Sequence, residues 1–135
     1  MKRREFIALT TAAVVAPMMA QAAFVSYTPG LIDERLAAGD TVFVDFKASW
    51  CSTCRAQERA INALKSSNPA YQENITFIAV DWDTYKNDPI VQRYNVPRRS
   101  TLIMLRGDQE LGRIVADTRK DTIKALLDSG LPENA

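Results

Sequence analysis

Two cysteines stand three positions apart in Trp50-Cys51-Ser52-Thr53-Cys54, and they are the only cysteines in a chain of 135 residues that has no histidine. A Cys-x-x-Cys pair can be half of a zinc site, but no further Cys or His exists here to complete one. It can attach haem when His follows the second Cys, but residue 55 is Arg. As a structural staple it is weak, because closing so small a loop removes little entropy from the unfolded chain. The pair favours thiol–disulfide exchange, in which one thiolate attacks a disulfide and the second thiol displaces the mixed disulfide that forms.

The flanking pattern supports that use. Residues 41–47 are rich in β-formers and apolar on both faces apart from Asp45 and Lys47, as a central strand should be. The strand runs into the cysteine pair, and from Cys51 to about Ser66 the pattern turns helical, with Ala56, Ala60, Ile61 and Leu64 as an apolar stripe. Cys51 thus falls at a helix N-terminus, where unpaired N–H groups and the dipole favour the thiolate. Cys54 lies one turn on, within reach of it, and Arg55 adds a positive charge nearby. Catalytic roles therefore fall to Cys51 and Cys54, and the spacer residues Ser52 and Thr53 are expected to face the substrate.

The remaining elements are short. Residues 24–27 read as an edge strand, and Thr28-Pro29 as the cap and first residue of a helix that Gly39 stops. Residues 75–82 form a second buried strand, and Asp88-Pro89 opens a short helix. Residues 101–105 and 111–116 flank a Gly107-Asp108 hairpin turn. Thr118 caps a last helix that ends at Gly130 and Pro132. The order β-α-β-α-β-α-β-β-α predicts an α/β fold, one mixed sheet with helices on both faces.

Composition agrees with a single domain: 47% hydrophobic, 24% charged, and 17 bases against 16 acids. That balance argues against nucleic-acid binding, which calls for a clustered basic excess. The basic start Met1-Lys2-Arg3-Arg4, the apolar run from Phe6 to Ala20 and the small-x-small Ala20-Gln21-Ala22 follow the plan of a secretory signal over residues 1–22. Arg3-Arg4-Glu5-Phe6-Ile7 resembles the twin-arginine export motif in part; an ordinary Sec signal is the alternative. The domain left, 23–135, has 113 residues with 14 bases and 15 acids. Its expected compartment, the periplasm, allows disulfides to persist.

From about residue 28 to 131 the chain resembles the thioredoxin family, and the segment Val42-Phe43-Val44-Asp45-Phe46-Lys47-Ala48-Ser49-Trp50-Cys51-Ser52-Thr53-Cys54 carries the likeness. The resemblance implies the thioredoxin fold, and makes Asp45 a buried proton acceptor for the second thiol and Trp50 a tryptophan packed beside the site. It departs in three places. Lys47 stands where the family often has a tryptophan. The family's strand lysine near the buried acid falls on Ala79. Ser100 falls at the position of a cis-proline whose preceding backbone pairs with substrate. A cis bond before Ser costs about 3 kcal/mol, so a trans Arg99–Ser100 bond is expected, with Pro97 in the cis role as the rival. Arg98 and Arg99 beside the site read as contacts for acidic partners or as a solvated loop.

The function these residues imply is an exported thiol–disulfide oxidoreductase that reduces protein disulfides, acting as a monomer and requiring no cofactor. Its electron donor is expected to be a membrane thiol relay, with apocytochrome c or other periplasmic thiols as clients. The Ser52-Thr53 spacer matches neither the Gly-Pro of reducing thioredoxins nor the Pro-His of strong oxidases, and the absence of a spacer His favours a reductant over a thiol oxidase. A thioredoxin-fold Cu(I) carrier is the alternative of a different class, with two thiolates, an approach opened by Ser100 and Met104 as a third ligand or as core.

Overall fold

The computed structural model describes residues 24–133. The signal segment read at residues 1–22 lies outside the described residues.

Five strands form one sheet: β1 (Val25–Ser26), β2 (Thr41–Lys47), β3 (Ile75–Asp81), β4 (Thr101–Arg106) and β5 (Gln109–Val115), in the spatial order β1-β3-β2-β4-β5. The β1–β3 and β3–β2 pairs are parallel, and the β2–β4 and β4–β5 pairs are antiparallel. The mixed sheet expected from the element order is present, and its antiparallel part reaches the central strand β2. Among the described residues six helices accompany it: α1 (Leu31–Ala37), α2 (Ser52–Ser67), α3 (Ala70–Asn74), α4 (Trp82–Tyr85), α5 (Pro89–Arg93) and α6 (Lys120–Ser129).

Strand periodicity sorts the core into two layers. On one face Phe43, Phe77, Leu102 and Met104 pack under Ile61 and Leu64 of α2, Tyr71 of α3 and Ile123, Leu126 and Leu127 of α6. On the other, Val42, Val44, Phe46, Ile78, Val80, Ile103 and Leu105 pack against Ile32 of α1 and Ile90 of α5. Because β2 is covered on both sides, all its residues but Lys47 are buried. Asp45 alternates onto the face of Phe43 and is the one buried carboxylate among the described residues.

Several boundaries shift from the sequence reading for local reasons. The first helix begins at Leu31 and is capped by Gly30, whose φ of 90° suits glycine, rather than by Thr28. The last helix begins after Arg119, not Thr118; Asp117 accepts from the Arg119 N–H and holds that entry. Trp82 leaves the strand and opens α4, where the Asp81 side chain accepts from the Thr84 N–H. Helices α3 and α4 span five and four residues, too short to show helical periodicity in the sequence.

Candidate active site

The strand-to-helix junction after β2 places both cysteines. Cys51 is the N-cap of α2 in an extended conformation, and its Sγ accepts from the Cys54 N–H at 3.1 Å. A first-turn donor that would otherwise lack a partner is thereby aimed at the sulfur. The Cys51 N–H donates to the Ala48 carbonyl at 3.1 Å, which closes the turn out of the strand. Cys51 and Cys54 are disulfide-bonded, with Cα atoms 5.2 Å apart, and each is almost fully buried. Arg55 braces the approach: its Nη1 donates to the Ser49 carbonyl at 2.9 Å. That bond fixes the guanidinium against the backbone two residues before Cys51.

Ser100 closes the site from the opposite side. Its Oγ lies 3.2 Å from Cys51 Sγ and 3.1 Å from Cys54 Sγ. The Arg99–Ser100 bond is trans, as expected, and so is the bond before Pro97; the described residues contain no cis peptide bond. Ser100 takes a left-handed conformation, φ 66°, and donates its N–H to the Phe46 carbonyl at 2.7 Å. A proline can supply neither that φ nor that donor. The Ser100 carbonyl accepts from the Ala116 N–H at 2.9 Å and from Gln57 Nε2 at 3.1 Å. Ala116, at φ 63°, is left-handed as well. Ser100, beside the sulfurs, and Ala116, bonded to its carbonyl, are therefore both held in a sparsely populated region, at a cost on the order of 1–3 kcal/mol each.

Gln57 was not anticipated from the sequence. Fully buried in the second turn of α2, it donates from Nε2 to the Ser100 carbonyl and to the Asp117 carbonyl, each at 3.1 Å. It ties the helix to the segments before β4 and after β5. The available signal was a polar residue three positions after Cys54, on the stripe that continues through Ile61 and Leu64.

Asp45 is fully buried, and neither carboxylate oxygen has a hydrogen-bond partner. Burial raises its pKa from the usual 3.8 to about 7; Lys47 lowers it and Glu58 raises it, each less than burial does. In the β2–β3 register Asp45 faces Ala79, so no strand lysine stands opposite it. Lys47 instead pairs with Glu58 at 3.0 Å, and its charge on Asp45 is offset by its own partner. A cleft of about 580 Å³ opens here, lined by Lys47, Cys54, Glu58, Ala79, Asp81 and Tyr85 among others.

The other sequence-selected residues divide by exposure. Trp50 is 54% exposed; its Nε1 donates to Asp83 at 2.9 Å and the Arg99 guanidinium stacks over its ring at 4.6 Å. Ser52 is exposed and Thr53 half-buried in the first turn of α2. Arg98 donates from Nε to the Arg99 carbonyl at 3.0 Å. Ser100 is fully buried, so its side chain offers a client no exposed contact surface. Met104 is buried core: a Cβ built on Gly130 would come within 2.7 Å of its sulfur, at the end of β4 away from Ser100. Met104 is thus no third ligand to the cysteines, and the described residues contain no cluster of three or more His, Cys, Asp or Glu suited to a metal ion.

A thioredoxin family model matches residues 24–129. The chain belongs to the thioredoxin family. It is 33% identical over 98 residues to the mitochondrial thioredoxin-2 of Schizosaccharomyces pombe, a match covering 73% of this chain and 68% of that protein. Trxlp from Edwardsiella tarda EIB202 is similar in structure, with a TM-score of 0.67 and 32% identity, covering 76% of this chain and 97% of the other. Thioredoxin from Trypanosoma brucei brucei shares the fold at a TM-score of 0.66 and 22% identity, over 84% of this chain and 96% of its own. With its Cys-x-x-Cys pair the chain is a thiol–disulfide oxidoreductase of that family, whose members act on protein thiols and disulfides.

The raised pKa of Asp45 has a signed consequence for stability. The folded state binds this proton more tightly than the unfolded chain, so stability is full below about pH 4 and declines as pH rises through about 7. Asp45→Asn removes that decline. Its stability relative to the wild type should improve by as much as about 4 kcal/mol between pH 4 and pH 8, measured by urea denaturation of the oxidised proteins. Parallel stability curves for the two proteins would show that Asp45 titrates normally.

Proposed function

We propose that this thioredoxin is exported and reduces protein disulfides outside the cytoplasm, with Cys51 as nucleophile, Cys54 as resolving thiol and Asp45 as proton acceptor. The observation that carries the residue roles is the placement of Cys51 at the start of α2, with the Cys54 N–H directed at its sulfur. In the reduced protein that donor and the helix dipole favour a Cys51 thiolate. The thiolate attacks one sulfur of a client disulfide; a Cys51–client bond forms and the other client sulfur leaves as thiolate. Cys54 gives its proton to Asp45 and attacks Cys51 Sγ, releasing the second client thiolate and forming the Cys51–Cys54 bond. Two electrons pass to the client, and Asp45 loses its proton to water through the cleft beside Cys54. An acceptor poised near neutral pH suits this step, since a carboxylate with an ordinary pKa is too weak a base.

Exposed Trp50 and half-buried Arg99, stacked on one another, together with Ser52 and Thr53, form the surface on which a client rests. Export is supported by the basic start, apolar run and small-x-small site of residues 1–22. A periplasmic location would call for a membrane thiol relay as electron donor, with apocytochrome c or other periplasmic thiols as clients and the monomer as working unit. Reduction is favoured over oxidation because the Ser52-Thr53 spacer lacks a His; a potential near about −120 mV would mark an oxidase instead.

Cys51→Ser should abolish reduction of insulin disulfides. Cys54→Ser should retain the first step and accumulate mixed disulfides on Cys51, seen as dithiothreitol-sensitive adducts on non-reducing gels. Turnover that persists in Cys51→Ser would overturn the assignment of the nucleophile. For export, Arg3→Lys combined with Arg4→Lys should leave the precursor in the cytoplasmic fraction if the twin-arginine route is used. Unchanged processing would assign the chain to Sec, and a wild-type protein found only in the cytoplasm would refute export.

A further inference from the structure

The contact between Ser100 and the sulfurs leaves one group of the redox centre without a role. A serine hydroxyl carries one donor and two acceptor positions. This one is fully buried and lies within hydrogen-bond distance of both cysteine sulfurs, 3.2 Å and 3.1 Å. Its position is not a product of side-chain mobility. The backbone that carries it is held at φ 66° by three hydrogen bonds, from the Ser100 N–H to Phe46 and to the Ser100 carbonyl from Ala116 and Gln57. All the backbone polar groups of Ser100 are thus engaged, and the hydroxyl is its one free handle. Holding a serine in that conformation costs energy that glycine would spare, so the strained geometry serves to hold the hydroxyl against the sulfurs.

We propose that Ser100 is a third catalytic group of the redox centre, its hydroxyl donating to the Cys51 sulfur when that sulfur carries the negative charge and accepting from the Cys54 thiol. The inference deepens the oxidoreductase reading and rests on it for the assignment of Cys51 as thiolate. In the oxidised protein neither sulfur is charged and the hydroxyl has only weak acceptors. After reduction Cys51 becomes an anion, and the same hydroxyl makes a charge-assisted bond, which is much stronger. The contact therefore favours the reduced pair over the disulfide. With the Cys54 N–H it gives the Cys51 thiolate two donors. By accepting from Cys54 the hydroxyl also orders the resolving thiol beside the bond it will break.

The sign follows. Removing the hydroxyl makes the Cys51 thiolate less favourable and the protein a stronger reductant. Ser100→Gly is the cleaner variant, because glycine adopts the required φ without strain and keeps the backbone hydrogen bonds. Ser100→Ala is the second. Thiolate absorbance at 240 nm, titrated in the reduced full-length domain, should show the Cys51 pKa higher by about one unit in both variants. The glutathione redox equilibrium should shift about tenfold towards the disulfide, which corresponds to about 30 mV. Unfolding by urea of the same samples confirms that the fold is retained, and the glycine variant is expected to match or exceed the wild type. Unchanged titration and glutathione equilibrium in folded Ser100→Gly, or shifts of the opposite sign, would overturn the proposal. Both readouts are independent of client turnover, so a failure to reduce insulin would refute the reductase reading without touching this one.

Discussion

The active centre depends on a seam where the first two turns of α2 meet the segment entering β4. Gln57 crosses it with two hydrogen bonds from one nitrogen, to Ser100 and Asp117, and Ser100 is in turn fixed to the end of β2 through its N–H. The sulfurs sit in the space these bonds define. Neither cysteine is presented on a free loop: one caps a helix and the other lies in its first turn, and both are enclosed by packed neighbours. This rigidity is what a dithiol needs if one sulfur must displace the other from a mixed disulfide without a search.

Burial has a second effect at the same place. It strips water from Asp45 and leaves the carboxylate with no hydrogen-bond partner, an arrangement a fold tolerates only where the group keeps its proton or has work to do. The ion pair of Lys47 and Glu58 stands nearby with opposing influences on Asp45. Desolvation therefore governs its acidity. The same dry surroundings strengthen the dipolar bonds offered to Cys51, because fewer water molecules compete for the charge.

Much of this was legible in the sequence. The strand running into Cys-x-x-Cys, the helix start at Cys51 and the Gly107 hairpin follow from patterns of period two or 3.6 and from turn chemistry, whereas the burial of Asp45 was implied only by the family resemblance. The alternation of strands and helices gave the layer arrangement. What escaped had identifiable causes. Gln57 and Lys65 occupy buried positions of α2 while Ala56 is only half-buried, so an apolar stripe misplaces the buried face. Arg55 read as a positive charge near the thiols, but its hydrogen bond to the Ser49 carbonyl had no signal in the sequence. Ser100 could be placed at the proline position by spacing alone; its left-handed backbone and its reach to both sulfurs depend on partners distant in sequence, from Ala116 on one side to Phe46, Cys51, Cys54 and Gln57 on the other.

The account stands most directly on the inequality of the two sulfurs. Reduced native protein treated briefly with iodoacetamide across a pH series, with the modified residue located by mass spectrometry, measures it. The structure predicts that Cys51 is alkylated first at every pH, with a midpoint below the about 8.5 of an unperturbed thiol. Equal labelling of Cys51 and Cys54, or a Cys51 midpoint at or above that of a free thiol, would contradict it.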